Sequence, residues 1–339
     1  MKITAYEVRP DERNTLIRLC QERDIELEMT SENLNAETVG LSKGSDGVTT
    51  LGQSTYSNEV IDALKENGVK VLAARCVGFD HMNRDYAEAQ GFKLCHGSYG
   101  PNGVAEFTIM TMLMALRQMK RAMANTDDKD FTLKGKQGRQ LGSLTVGVFG
   151  TGRIGYHVIK LLKGFGCRII CNDVYENPVV REIAEYVPFD TLLAESDVIT
   201  LHAPLLPSTA GIINEKNIAK MKDGVVLINN ARGALLDIDA VIKALENGKF
   251  ATLVMDAYPG EEGIIHVPHE EDIVINTFGE KDSWLKLQYI RSFVNVIHTP
   301  HMAFFTREAA EQMCEAGVTG IYEVLTEGKS AHELPPRQA

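Results

Sequence analysis

Along the first hundred residues, short apolar runs alternate with amphipathic stretches of helical period. KITAYEV precedes RNTLIRLCQER, DGVTTLG precedes NEVIDALKENG, KVLAARCVG precedes DYAEAQG, and FKLCHGS closes the series. Strand-length apolar runs separated by amphipathic segments predict β-α-β units on a parallel sheet. The rhythm stops at Pro101. There NGVAEFTIMTMLMALRQMKRAMAN predicts one long helix, with proline suiting its first turn, and a boundary falls near residue 100. It restarts at LTVGVFG and continues through YHVIKLLKGFG, CRIICND, DVITLHA, GVVLINN, AVIKALENGK and ATLVMDA, which predicts a second doubly wound unit. An irregular stretch from about residue 259 to 292 follows, then VNVIHTPH and a final amphipathic helix, TREAAEQMCEAGVTGIYEVLTEG. Periodicity leaves open which unit that last helix joins.

At 339 residues the chain exceeds what one hydrophobic core normally supports, so length agrees with two domains. A formal net charge of -11, with no block of basic residues, argues against nucleic acid. The longest membrane-like run, FTIMTMLMAL, is about half a span and ends at Arg117, so a cytosolic protein is expected. Six cysteines without CxxC pairs read as buried free thiols. His298 with His301, and His266 with His269, have ligand-like spacing but lack the Cys or carboxylate pattern of a zinc site, so no metal is expected.

The stretch VGVFGTGRIGYHV, residues 146 to 158, carries three glycines between a predicted strand and a predicted helix. Gly150 makes the tight turn, Gly152 lets the backbone approach a pyrophosphate, and Gly155 allows close helix packing. The N–H groups at Arg153 and Ile154 then face the phosphates, with the helix dipole favouring negative charge there. Asp173, at the end of the next strand, suits the adenosine ribose hydroxyls and would repel a 2′-phosphate. The VYEN that follows offers no arginine, so NAD is expected rather than NADP.

Three further stretches, NNARG at 229 to 233, MDAYPGEEG at 255 to 263 and HTPHMAFFT at 298 to 306, join the glycine loop and VGFDHMN at 77 to 83. Together they resemble the D-specific 2-hydroxyacid dehydrogenases, in the D-lactate and D-2-hydroxyisocaproate dehydrogenase branch, nearly end to end and in the same order. The resemblance implies an α/β protein of two doubly wound parallel-sheet domains. A Rossmann cofactor domain, residues 101–298, is inserted into a flavodoxin-like substrate domain made of residues 1–100 and 299–339. It implies NAD as cofactor, a 2-oxo or 2-hydroxy acid as substrate, and a homodimer joined through the cofactor domains.

A 2-oxo acid needs its carboxylate held, its carbonyl polarised and a proton supplied as hydride arrives. Arg232 offers a permanently charged fork for the first two tasks, the plain alternative being a surface salt-bridge arginine. His301, in TPH, matches the family's acid position, and imidazole holds and releases a proton near neutral pH. Glu261 would pair with it and raise its pKa, although adjacent Glu262 leaves a one-residue ambiguity. Asp256 matches the position that binds the nicotinamide carboxamide, and Ala203, Pro204, Thr209, Asn230 and Ala231 match other cofactor contacts. The N–H groups of Val77 and Gly78, and the Tyr99 hydroxyl, match groups that receive the substrate carboxylate.

The chain departs from the family at Asn83, where aspartate is usual, and at Gly100, where serine is common. Formate and phosphoglycerate dehydrogenases share the architecture, as do corepressors that use it as an NAD-sensing module. Substrate size turns on Leu51. D-lactate members tend to carry tyrosine at the matching strand end and D-2-hydroxyisocaproate members leucine. With Phe304 as a second apolar wall, leucine implies a bulky substrate such as 2-oxoisocaproate or phenylpyruvate. D-lactate dehydrogenase acting on pyruvate is the alternative, and Leu51 merely packing the sheet is the plain one.

Overall fold

The structure is a computed structural model that describes residues 1–261 and 280–335. The chain divides into two compact units, one of Met1–Gly100 with Phe305–Ala339 and one of Pro101–Phe304. In chain order the first unit opens with β1 (Lys2–Ala5), α1 (Arg13–Gln21), β2 (Glu26–Met29), β3 (Gly47–Thr50), α2 (Asn58–Glu66), β4 (Val71–Ala74), α3 (Arg84–Ala89) and β5 (Lys93–His96). The second holds α4 (Asn102–Leu116), α5 (Met119–Asp127), β6 (Thr145–Phe149), α6 (Arg153–Lys163), β7 (Arg168–Asn172), α7 (Pro178–Arg181), β8 (Glu185–Tyr186), α8 (Phe189–Glu195) and β9 (Val198–Leu201). It continues with α9 (Glu215–Lys220), β10 (Val225–Asn229), α10 (Ile238–Glu246), β11 (Phe250–Met255), α11 (Glu280–Ser292) and β12 (Val296–His298). Helix α12 (Arg307–Glu327) follows.

Every ladder in both sheets is parallel. The first unit has the order β2-β1-β3-β4-β5 and the second β12-β11-β10-β9-β6-β7-β8. These are the flavodoxin-like and Rossmann-like doubly wound arrangements expected from the alternating pattern. Parallel sheets are covered on both faces, and β4 shows how. Its Val71 and Ala73 pack with Leu16, Leu19, Val318 and Ile321, while Leu72 and Ala74 pack with Val60, Ile61 and Leu64 on the other side.

Helix α12 belongs to the first unit, where it lies against α1, β3, β4 and β5. Small residues set its distance: a Cβ at Gly47 would stand 2.4 Å from Ile321, and one at Gly320 would stand 3.0 Å from Cys95. The Thr306 hydroxyl caps its start by accepting the Ala309 N–H, and Gly328, at φ +78°, ends it.

Several expectations are corrected. The long helix after Pro101 is two helices, because Gln118 is left-handed (φ +55°) and α5, which buries none of its residues, has no apolar stripe to continue the axis. The stretch from 259 to 292 is not irregular throughout: α11 begins at Glu280 and buries Leu287 and Ile290. The crossing back to the first unit comes after Phe304 rather than at residue 299, because hydrogen bonds tie residues 299 to 303 to Asp256. Strand β2, an edge strand, alternates Leu27 and Met29, packed on the core, with Glu26 and Glu28, both paired with Lys2, a pattern too short to stand out in the chain. Of the six free thiols, those of Cys76 and Cys167 are half-buried rather than buried.

Within the first unit, Arg75 and Glu12 form an ion pair of 3.1 Å with neither side chain exposed. Arg75 also donates to the Tyr6 carbonyl at 2.9 Å, so one guanidinium ties the ends of β1 and β4 to the start of α1. Removing one partner leaves a buried charge uncompensated, and Arg75→Ala should lower stability by about 3–5 kcal/mol. Urea unfolding of the two proteins measures this, and a loss under about 1 kcal/mol would show that the pair is replaceable.

Candidate active site

The glycine loop joins β6 to α6. Gly150 takes φ +93°, and a Cβ on it would lie 2.6 Å from the Ala203 nitrogen. At Gly155 a Cβ would lie 1.9 Å from the Gly150 carbonyl oxygen, so any side chain there would push the helix off the loop. Nothing stands within 4 Å of the corresponding point on Gly152, the first residue of an open cradle at the helix N-terminus. The first turn of α6, at Arg153 and Ile154, presents N–H groups with no intrahelical acceptor, which suits an anion.

Asp173 follows β7 and reaches back to the loop, where its Oδ2 accepts the Thr151 N–H at 2.6 Å and hydroxyl at 3.2 Å. Thr151 is held in turn by the Tyr186 hydroxyl at 2.7 Å. Ala203 is buried beside the loop, and the Thr209 hydroxyl closes the next turn by donating to the Pro204 carbonyl and accepting the Leu206 N–H. Asn230 donates to Thr108 at 3.1 Å, while its buried Oδ1 has no partner among the described residues. An open glycine cradle and an orphaned amide oxygen both fit a dinucleotide that supplies phosphates and an amide donor.

The acid–base groups gather at the ends of β10, β11 and β12. His301 Nδ1 meets Glu261 Oε1 at 2.8 Å, and Glu261 Oε2 accepts the Tyr258 N–H at 3.1 Å. Glu261 is therefore the partner, and Glu262 lies outside the described residues. The imidazole is aimed by its own backbone, left-handed at φ +51°, with its N–H donated to the Asp256 carbonyl at 3.0 Å. The Asp256 carboxylate accepts the Thr299 hydroxyl at 2.6 Å, the Met302 N–H at 2.9 Å and the Ala303 N–H at 2.8 Å. One lone pair on Oδ2 is left over from its roughly four acceptor sites.

Burial of the His301 ring works against its charged form. The hydrogen bond and negative charge of Glu261, joined by Asp256, outweigh that and raise the pKa above its ordinary value, with Arg232 opposing. Arg232 is half-buried just past β10, with Nη1 on the Ala231 carbonyl at 2.9 Å. Asn229 holds the Arg232 carbonyl at 2.9 Å, and Gly233 sits so close to the Tyr258 backbone, 2.2 Å from a Cβ position, that no side chain fits. The Phe304 ring stands edge-on to His301 at 6.4 Å. His298 is kept neutral by burial, its pKa lowered to about 4, and its ring lies tilted against Tyr258 with centroids 4.5 Å apart. Among the described residues no three His, Cys, Asp or Glu side chains gather as metal ligands, and His266 and His269 lie outside them.

In the first unit the remaining candidates sit at carboxyl ends of strands, the side of a doubly wound sheet where ligands bind. Leu51 is buried just after β3. Val77 is exposed and Gly78 half-buried in the turn after β4, and the N–H groups of both donate to no described residue. Tyr99 is half-buried past β5. Of the departures, Asn83 is left-handed at φ +45°, a conformation asparagine tolerates well, and donates to Tyr56 and Asn58. The Gly100 N–H donates to Gln312 at 2.7 Å.

Residues 109–303 match the family described as D-isomer specific 2-hydroxyacid dehydrogenase, NAD binding domain. The chain is 37% identical over 330 residues, 97% of each protein, to an aromatic 2-oxoacid reductase of Clostridium sporogenes. The chain belongs to the D-isomer-specific 2-hydroxyacid dehydrogenases. A solved D-lactate dehydrogenase from Treponema pallidum superposes with a TM-score of 0.88 at 31% identity, covering 99% of this chain and all of that one. A D-2-hydroxyisocaproate dehydrogenase structure gives 0.87 at 31%, covering 98% and 99%. This D-2-hydroxyacid dehydrogenase is thus an NAD-dependent oxidoreductase, and no described helix is long and apolar enough to cross a membrane.

Sequence reasoning missed the residues that aim the others: Thr299 on Asp256, and Thr151 with Tyr186 on Asp173. Thr299 and Thr151 lie inside quoted motifs, so their signal was proximity. Tyr186 had none.

If His301 is the proton donor of the reducing direction, it must carry a proton, and activity should be present below its pKa and lost as pH rises through it. Glu261→Gln removes the anion that raises that pKa, so the basic limb of the kcat/KM profile should move to lower pH. His301→Gln should lower kcat by about 10²–10⁴. A basic limb unmoved by Glu261→Gln would remove Glu261 from this role.

Proposed function

We propose that this dehydrogenase reduces 2-oxo acids with bulky side chains, such as phenylpyruvate or 2-oxoisocaproate, to (R)-2-hydroxy acids with NADH in the cytosol. The observation that carries the chemistry is the 2.8 Å His301–Glu261 hydrogen bond. It uses Nδ1 and leaves Nε2 to hand its proton to the carbonyl oxygen. NADH, when bound, supplies the hydride for the carbonyl carbon. Arg232 pins the carboxylate and polarises the carbonyl, the unpaired N–H groups of Val77 and Gly78 with the Tyr99 hydroxyl receive the carboxylate, and Phe304 and Leu51 wall the side chain. We assign Pro101–Phe304 as the cofactor domain and the other unit as the substrate domain. Gly150, Gly152, Arg153, Ile154 and Gly155 hold the pyrophosphate, Asp173 the ribose, Asn230 Oδ1 and the spare Asp256 lone pair the carboxamide. Ala203, Pro204, Thr209 and Ala231 line the same cofactor.

Bulk rests on Leu51 and on the relatives. The Clostridium sporogenes relative is named for aromatic 2-oxoacids and a structural neighbour for D-2-hydroxyisocaproate. Phenylpyruvate should be reduced with a kcat/KM about tenfold above pyruvate, and Leu51→Tyr should narrow that margin. NADH should be strongly preferred to NADPH because Asp173 repels a 2′-phosphate. Steady-state kinetics with both acids and both cofactors tests the reading: a preference for pyruvate would make it a D-lactate dehydrogenase, and equal use of NADPH would remove Asp173 from the ribose.

We also propose a homodimer through the cofactor units. Ile109, Met110, Leu113 and Met114 of α4 face Leu161 and Phe165 across a groove of about 700 Å³, an apolar surface of the kind that marks an interface. Light scattering should give twice the 37.4 kDa chain mass, and Met110→Glu should shift it toward one.

A further inference from the structure

Glu7 follows β1 in the left-handed region, at φ +57°, which glycine and asparagine adopt readily and where a glutamate is uncommon. What it brings there is an acceptor. Its side chain is buried, and Oε2 takes the N–H groups of Leu51 at 2.8 Å, Gly52 at 2.8 Å and Gln53 at 3.0 Å, while Oε1 takes the Ser54 hydroxyl. One carboxylate thus satisfies three consecutive backbone donors of the turn after β3, through charge-assisted bonds stronger than those of a neutral acceptor.

The turn is also seated from below. Gly52, at φ +102°, lies so near Cys76 that a Cβ would stand 2.7 Å from its sulfur. Cys76 leads directly into Val77 and Gly78. Arg75, one residue earlier, donates to the carbonyls of Tyr6 at 2.9 Å and Glu7 at 3.4 Å, and its N–H donates to Thr50. The strand ends of β1, β3 and β4 are therefore one hydrogen-bonded assembly, in which the Glu7 carboxylate joins β1 to the turn after β3 and its backbone carbonyl joins β1 to Arg75.

We infer that Glu7 is a positioning residue for substrate selectivity, holding the turn that carries Leu51 in register with the Val77–Gly78 turn. This rests on the proposed reading that those two turns meet the substrate. Glu7 itself touches neither substrate nor cofactor; it acts through the turn.

Glu7→Gly is the informative variant, because glycine adopts the backbone conformation without strain while removing the acceptor together with its buried methylenes. Kinetics at saturating NADH should show the ratio of kcat/KM for phenylpyruvate over pyruvate falling about tenfold, chiefly through a higher phenylpyruvate KM, with the NADH dissociation constant within about threefold of wild type. Glu7→Gln should restore the ratio to within about threefold, since its carbonyl oxygen accepts the same N–H groups. Ser54→Ala, which removes one of the four bonds to Glu7 and also the acceptor of the Leu34 N–H, should give a smaller change in the same direction. An unchanged ratio in both Glu7→Gly and Ser54→Ala overturns the inference, as does an equal fall in affinity for NADH. Leu51→Tyr measured alongside separates the two ideas. If it alters the ratio and Glu7→Gly does not, the size reading stands and the role of Glu7 falls.

Discussion

The loop after β12 hangs on the Asp256 carboxylate. It is almost wholly buried, and it collects a hydroxyl from Thr299 and two backbone N–H groups from Met302 and Ala303, while its own carbonyl takes the N–H of His301. Four residues after β12 are thereby tied to Asp256, three through its side chain and His301 through its backbone carbonyl. The tethering forces His301 into a left-handed backbone and swings its ring to Glu261. A buried carboxylate is costly unless its oxygens are paired, and here the pairing builds the site.

The first unit repeats the device with different residues. Glu7 sits past the end of β1 as Asp256 sits past the end of β11, and each carboxylate gathers backbone N–H groups from a turn distant in sequence. Parallel strands end in loops whose donors have no ladder partner, so an acid at a neighbouring strand end is an economical way to fix them. Both turns carry the side chains proposed to meet the substrate.

Much of this was legible in the chain. Strand-and-helix rhythm is a physical consequence of burial on both faces of a parallel sheet, and it survives in β3, β4, β6 and β10, whose buried positions are mostly apolar or small. The glycine loop was legible because its three positions are sterically forced. The pairing of Glu261 with His301 was readable to within one residue, as two adjacent acids are indistinguishable until the backbone orients them. Strand β2 was not readable, because only Leu27 and Met29 of its four residues reach the core and the glutamates interleaved with them mask the alternation. Nor was the break at Gln118, where the deciding factor is α5 finding nothing apolar to cover. The roles of Glu7, Thr299 and Tyr186 lay beyond reach because each depends on a hydrogen bond to a segment far along the chain.

Helix α12 places the first unit's two pieces on opposite sides of about two hundred residues. Its Val318 and Ile321 cover the face of β4 that carries Val71 and Ala73, and Gly317 lies against buried Arg75. During synthesis the amino-terminal five-stranded sheet therefore emerges with one face covered only by α1 and its central ion pair without the α12 contact, whereas residues 101 to 304 are all in hand before α12 is made. The inserted unit is complete first, and the surrounding unit closes only when the last long helix arrives. Until then the exposed strands are an aggregation hazard, so the order in which the ribosome delivers this chain makes its amino-terminal sheet the segment most dependent on protection by chaperones.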